Sequence, residues 1–554
     1  MKKQPQHYII KTFILAVTIL VSVSCQDQFL DQEIPHVIAP DNLYVDEVGF
    51  DAGLNGLYAL ARVERAGLPS NSNPTGNSNN LTCAMMMAGT DIIYGNRPWN
   101  AELFLNDWGE QVLGNAAQGY FSGTWNWLYE IINASNTIIN RADQFGGGGI
   151  DESTLNRISG EAKTMRAWAY RHLTFLYGDV PLVKEESTGE NVRLDWERTS
   201  VADIREFIKE DLEFAVMHLP EVHLNDGKII KAVAQHYLTE LLIIEEEYSA
   251  AISLALEAIG GSRSLVTNRY GVNSSFPGTP YSDMFLSGNS NPSEGNTEAL
   301  WVLQNEYEVE GGQGHNIMRR WFMSEYSSSS GGAPGLAVTI DRGGRGNTRL
   351  SATKFVFDLY RDNNGVVIDD RGDEFSWRTY FVVSEEDPST AGSVGDTLWL
   401  DFTPEDPLGD RIRPYTRKWD WSHVVDPSES RAFNDQIYLR LADTYLLLAE
   451  AYFKNSDPNN AAFYINELRN RANATQVTPA EIDIDLILDE RARELFSEEH
   501  RRYTLLRNNK WIERTNLYNV NASGKMIERD KLFPIPQSFI DANLDFKISN
   551  NPSY

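Results

Sequence analysis

Apolar residues recur three and four positions apart over several long stretches of this chain, the spacing that gathers them onto one face of a helix. In YLRLADTYLLLAEAY they fall at Tyr438, Leu441, Tyr445, Leu448 and Tyr452, while Ala442 and Ala449 are small enough to admit a neighbouring helix. The polar run NSDPNN interrupts the pattern, and Ala461, Ile465, Leu468 and Ala472 resume it, which predicts a helical hairpin. A second hairpin is predicted over residues 229 to 259, from Ala232, Gln235, Leu238 and Leu242 on one helix to Tyr248, Ala251, Ala255 and Ile259 on the next. Residues 158 to 177 and 201 to 219 carry the same period and supply further helices.

Between residues 260 and 435 the pattern changes. Clusters such as SSSSGGAPG and DRGGRGN separate short runs like EALWVLQ and RTYFVVS, which alternate or are β-branched, so this stretch predicts a loop-rich insertion with little regular structure. A similar polar loop, SNSNPTGNSNN, runs from residue 70 to 80. Helical pairs lie on both sides of the insertion, and their length and small residues resemble tetratricopeptide units, whose period is about 34 residues. The expected fold is mainly α: a tetratricopeptide-like helix-pair scaffold carrying an irregular, loop-rich subdomain. The expected divisions are residues 1–24, 25–259 with helix pairs, 260–435 as the insertion, and 436–554 as a carboxy-terminal helical region.

The first division reads as a signal. Lys2, Lys3 and Lys11 precede or open an apolar run from Phe13 to Val23, which is shorter than the roughly 20 residues needed to span a bilayer and stops at Ser24 and Cys25. Cleavage before Cys25 would leave a thiol and an amino group for acylation, and several acyl chains hold a membrane far better than one. Two processing outcomes fit the residues. Ser22 stands where a bacterial lipobox has Leu, and Ser22-Val23-Ser24 also satisfies the small-x-small rule for ordinary secretion. Cys25 is the expected lipidation site.

Charge and composition narrow the chemistry. The chain has a formal charge of -29, and removal of the signal takes away three Lys and no acid, giving -32. Such a surface repels phosphate backbones and anionic headgroups, so nucleic acid is not an expected partner. Cys83 is the only thiol besides Cys25, which leaves stability to burial instead of an internal disulfide. Thirteen Trp in a chain whose core is also rich in Leu, Ile and Ala put some rings on a surface that needs a partner. No HExxH, CxxC, G-x-S-x-G or P-loop is present, and the nine His are scattered without ligand spacing, so no catalytic residue, metal site or cofactor is expected.

The carboxy-terminal third carries YLRLADTYLLLAEAY, AAFYINELRNRA, ILDERARELFSEEHRRYTLLRNNKW and KLFPIPQSFIDAN in order. The front half carries FLD at residues 29 to 31, WNWLYEIINASNTII from Trp125 and MRAWAYRHLTFLYGDVPLV from Met165. Together these resemble the SusD/RagB family of outer-membrane nutrient-binding lipoproteins. Thr504 stands where the family has Asp, and Ser553 where it has Gly. Within the carboxy-terminal motifs, Glu490, Arg493, Glu494, Arg501 and Arg502 lie on a helix otherwise led by Leu488, Leu495 and Phe496; an exposed charged face is the ordinary reading and a buried ion network the alternative.

The resemblance implies a protein lipid-anchored on the outer membrane and facing the exterior. It would lie over a SusC-like, TonB-dependent transporter, capture oligosaccharides and pass them to the channel without breaking a bond. A glycan site needs flat aromatic faces together with amide, carboxylate or Arg groups for the hydroxyls. DIIYGNRPWNAE offers Tyr94 and Trp99 as platforms, with Asn96, Arg97 and Asn100 between and beside them. Trp321 and Tyr326, beside SSSSGGAPG, form a second candidate. Two other functions fit the same family pattern: peptide binding, or a structural adaptor of the transporter with no ligand of its own.

Overall fold

The computed structural model describes residues 40–66, 83–96, 105–107, 115–145, 149–307, 309, 317–327, 335–385, 393–402, 412–422, 425–429 and 432–554. Cys25 and the signal lie outside the described residues.

The scaffold is helical. It comprises α1 (Glu47–Ala66), α2 (Asn115–Asp143), α3 (Glu152–Tyr177), α4 (Val201–His218), α5 (Lys231–Ile244) and α6 (Tyr248–Ile259), with the short α7 (Met318–Phe322) inside the insertion. After the insertion come α8 (Leu441–Lys454), α9 (Pro458–Arg471), α10 (Ile484–Leu495) and α11 (Arg501–Arg507). Helices α2 to α6 pack each on the next; α6 then packs on α8, and α8 on α9. The stack therefore continues across the insertion, as if the residues between α6 and α8 had been looped out of it.

Small residues make this approach possible. Ala251 and Ala255 on α6 and Ala442 and Ala449 on α8 have no exposed surface, in keeping with close contact between helices. Side chains fix several starts: Asp151 accepts from Thr154 N at 2.9 Å, Asp457 from Asn460 N at 3.1 Å and Asp483 from Leu486 N at 2.7 Å. At the end of α3, Gly178 takes φ +75° while its N–H bonds the Thr174 carbonyl, a conformation that costs glycine least. Ser553, where the family has Gly, likewise takes φ +72°.

The predicted hairpin over residues 229 to 259 is α5 and α6, and the stretches from 158 and 201 lie in α3 and α4. One boundary differs. Tyr438 does not begin a helix: it lies in β8 (Gln436–Arg440), which pairs antiparallel with β2 (Ala299–Leu303), and α8 starts only at Leu441. The partner strand is remote in sequence, so no local period announces it. The other strands form two-stranded antiparallel pieces: β1 (Ile93–Gly95), from before the insertion, with β3 (Leu350–Ala352), and within the insertion β4 (Trp377–Arg378) with β7 (Tyr415–Thr416) and β5 (Tyr380–Val382) with β6 (Thr397–Trp399).

The charged face of α10 and its continuation point inward. Glu490, Glu494, Arg501 and Arg502 have no exposed surface, which overturns the expectation of a solvated face. Arg371 from the insertion reaches Glu494 and Glu490 at 2.8 Å each, and Asp369 at 2.7 Å. Arg440 on β8 pairs with Glu298 and Glu498 at 2.7 Å each, Arg471 with Glu298 at 2.9 Å, and both also bond the Glu494 carboxylate. Arg469 holds Glu490 at 2.8 Å. Burial pushes the Glu494 carboxyl up, but Arg471, Arg440 and Arg371 outweigh it and hold the group well below the usual range. Against the same burial, Arg371, Arg493 and Arg469 hold Glu490 at about 2. The network ties α10, β8, α9 and the insertion into one body.

Candidate functional site

The residues singled out by sequence divide sharply. Tyr94, Asn96, Trp321 and Tyr326 are buried, with 6, 8, 0 and 1 % exposure, so none of these side chains offers a face to solvent in this structure. Arg97, Trp99 and Asn100 lie outside the described residues.

The physical reasons are local pairings that the polar composition concealed. Tyr94 sits in β1 opposite Ser351, and Asn96 continues the ladder, its N–H bonding the Arg349 carbonyl at 3.0 Å and its Nδ2 the Ser351 hydroxyl at 2.8 Å. Trp321 belongs to α7 and to the main apolar core. Tyr326 stacks on Phe381 with ring centroids 4.5 Å apart, and its hydroxyl donates to the Gly344 carbonyl at 2.7 Å. Tyr326 is thus the floor beneath a surface strand.

That strand bears the aromatic surface that sequence reasoning missed. In the β5–β6 ladder, Phe381 points down onto Tyr326, and the alternation of strand residues turns Tyr380, Val382 and Trp399 outward. Tyr380 and Trp399 are register partners with centroids 5.2 Å apart, and Trp399 is 70 % exposed. The runs RTYFVVS and DTLWLDF carry the signal, short β-branched and aromatic stretches, but they do not announce which of their rings faces outward.

Beside the hairpin lies a cleft of about 300 Å³ walled by Phe285, Phe375 and Trp421, with Ser287, Arg417 and Asn434 among its polar residues. Hairpin and cleft are linked through Glu374: the Tyr380 hydroxyl donates to its carboxylate at 3.1 Å, and Arg417 Nη1 donates to its carbonyl at 2.9 Å. Arg417 also donates through Nε to Asp420 Oδ2 at 3.1 Å, and Arg378 donates to the same oxygen at 2.7 Å. Lys418, deeper in the wall, donates to the Glu494 and Phe496 carbonyls at 3.1 Å each and to the Glu498 carboxylate. Burial pulls its amine down to about 8, with Glu498 opposing.

Elsewhere, Glu64, His172 and His500 bring three possible metal-ligating atoms within 4.8 Å of one another. Their hydrogen bonds argue against that use. Arg171 can only donate to His500 Nδ1 at 3.2 Å, so the ring proton sits on Nε2 and is donated to Glu64 at 2.8 Å, leaving no lone pair there for an ion. Burial pulls His172 well below its ordinary value and keeps it neutral. The cluster reads as a closed polar plug in the core.

A stack of helix pairs interrupted by an irregular, aromatic-bearing face defines a helical-repeat protein with an outward pair of rings on the inserted part. The chain belongs to the SusD family: its residues 412–554 match the model described as "SusD family", and residues 77–232 match one described as "Starch-binding associating with outer membrane". A SusD-like protein of Formosa agariphila is 27 % identical over 528 residues, covering 90 % of either chain. Among solved structures, a SusD homolog of Bacteroides thetaiotaomicron superposes with a TM-score of 0.67 at 16 % identity, over 93 % of this chain and 98 % of that one. Surface glycan-binding protein A of the same organism, solved with laminarihexaose, superposes with a TM-score of 0.65 at 17 % identity, over 91 % of this chain and 98 % of that one. These superpositions place the tetratricopeptide-like fold. Among the described residues, no helix is long and apolar enough to cross a membrane.

Proposed function

We propose that this protein is a lipid-anchored, surface-facing binding protein of the outer membrane that captures oligosaccharides and passes them to a SusC-like, TonB-dependent transporter. The observation that carries the reading is the Tyr380–Trp399 pair, an outward aromatic surface formed by the exposed Trp399 and the half-buried Tyr380. Sugar rings present C–H faces that such a surface covers, and a stacked ring contributes on the order of 1 kcal/mol beyond the area it buries. Support also comes from the relatives: one neighbour is a laminarin-binding SusD-like protein, and another was solved with laminarihexaose. Arg97, Trp99 and Asn100 enter the reading as further ligand contacts on the strength of the sequence alone, and Cys25 as the acylated residue. The protein acts by binding, and tethering above a transporter raises the effective concentration of a weakly held ligand.

A glycan array set beside a peptide panel tests the ligand class. The expected result is glycan binding that Trp399→Ala weakens at least several-fold with the melting temperature unchanged. Peptide binding in place of glycan binding overturns the reading. Purification from native membranes tests the partner, where repeated recovery of the protein alone in mild detergents would remove the transporter from the account.

A further inference from the structure

We infer that the cleft beside the hairpin takes one ring of an uncharged oligosaccharide, whose chain runs on across Tyr380 and Trp399. This rests on the glycan-binding reading and adds to it a second contact point and a substrate class.

The size comes first. At about 300 Å³ the cleft sits at the small end of ligand sites, with room for a sugar ring and too little for a folded oligomer. Its walls are of the right kind, since Phe285, Phe375 and Trp421 supply apolar surface. It is also contiguous with the platform, because Glu374 takes the Tyr380 hydroxyl on its side chain and the cleft residue Arg417 on its carbonyl.

The charge pattern sets the class. The charged groups named in the cleft wall are engaged inside the protein: Arg417 and Arg378 share the Asp420 carboxylate, Arg417 also donates to the Glu374 carbonyl, and Lys418 pairs with Glu498. A carboxylate or sulfate entering here would lose its water and have to draw Arg417 away from Asp420 and the Glu374 carbonyl, and an amine would lose its water and have to compete with two guanidiniums for Asp420. The polar groups left at the mouth are neutral. Asn434 donates through Nδ2 to the Ser287 hydroxyl at 2.6 Å, which leaves the Asn434 carbonyl oxygen and the Ser287 proton for hydroxyl partners. The formal charge of -29 over the whole chain adds long-range repulsion of polyanions.

The test is calorimetric titration of the full chain with neutral hexaoses (β-1,3-, β-1,4- and α-1,4-glucans, mannan and xylan fragments) and with hexauronates and sulfated hexaoses. The best neutral hexaose is expected to bind at least tenfold tighter than any charged one. Asn434→Ala and Ser287→Ala, both near the surface, are each expected to weaken it threefold or more without lowering the melting temperature, as is Trp399→Ala. A charged oligosaccharide binding as tightly as the best neutral one overturns the substrate class. Loss in Trp399→Ala with both cleft variants unchanged overturns the cleft while leaving the platform standing. No binding of any glycan by the unaltered protein overturns the glycan reading and this inference with it.

Discussion

The helical stack and the insertion are held together by different means. In the stack, Ala251, Ala255, Ala442 and Ala449 let helix axes approach, and apolar stripes repeat on each new helix, so every contact resembles the one before. Among the described residues the insertion's strands form two-stranded sheet pieces, too small to stand alone. It is fastened to the stack by buried ion pairs, Arg371 to Glu490 and Glu494 above all. A repetitive scaffold leaves little freedom for variation, whereas a segment pinned at a few charged points can carry any surface between them. The outward ring pair and the neutral cleft are both in the insertion.

That contrast can be broken most directly at its pins. Glu494→Gln removes the carboxylate shared by Arg371, Arg440 and Arg471, and breaking a buried pair in this way costs about 3–5 kcal/mol. Chemical denaturation should show that loss; a change under about 1 kcal/mol would mean the insertion is held by something else.

Two tryptophans then sharpen the difference between core and face. Trp321→Ala empties a fully buried site and is expected to lower stability by about 3–5 kcal/mol, while Trp399→Ala should stay within about 0.5 kcal/mol of the unaltered protein. Ligand affinity should respond to Trp399→Ala several-fold at unchanged stability. Equal destabilisation by the two would show that the hairpin ring is a packing residue.

Acid acts more gently, on buried carboxylates at the pins and within the stack. Glu490 is held at about 2 and Glu240, beside Arg171 and Arg507 against the cost of burial, also at about 2. Because the folded values lie below the unfolded value near 4.5, these carboxylates stabilise the protein above that pH, and the contribution is lost as pH falls from about 4.5 toward 2. The melting temperature should therefore drop over that window, and Glu490→Gln should flatten part of the slope while starting from a lower value. A parallel slope in the variant would remove Glu490 from the cause.

Legibility in the sequence followed the range of the interactions. The α5–α6 hairpin was readable because its stripe lies within one local window, and the family resemblance was readable because its motifs keep their order along the chain. The β8 strand was not, since Tyr438 fits the helical period as well as it fits a ladder and only the distant β2 decides. Tyr94 and Asn96 lie in a polar segment that pairing with β3 draws into the interior.

The sequence by itself determined the helical stack and the family, because periodicity and motif order are properties of neighbouring positions. Only the tertiary structure decided which charges are buried and which rings face water. A helix with acids and arginines along one side has the same pattern whether that side meets solvent or meets opposite charges brought from elsewhere in the chain, and here Arg371, Arg440, Arg469 and Arg471 bring them. An aromatic in a short strand likewise has two faces to choose from, and the choice at Trp399 was made by Phe381, the residue after its register partner Tyr380, settling onto Tyr326.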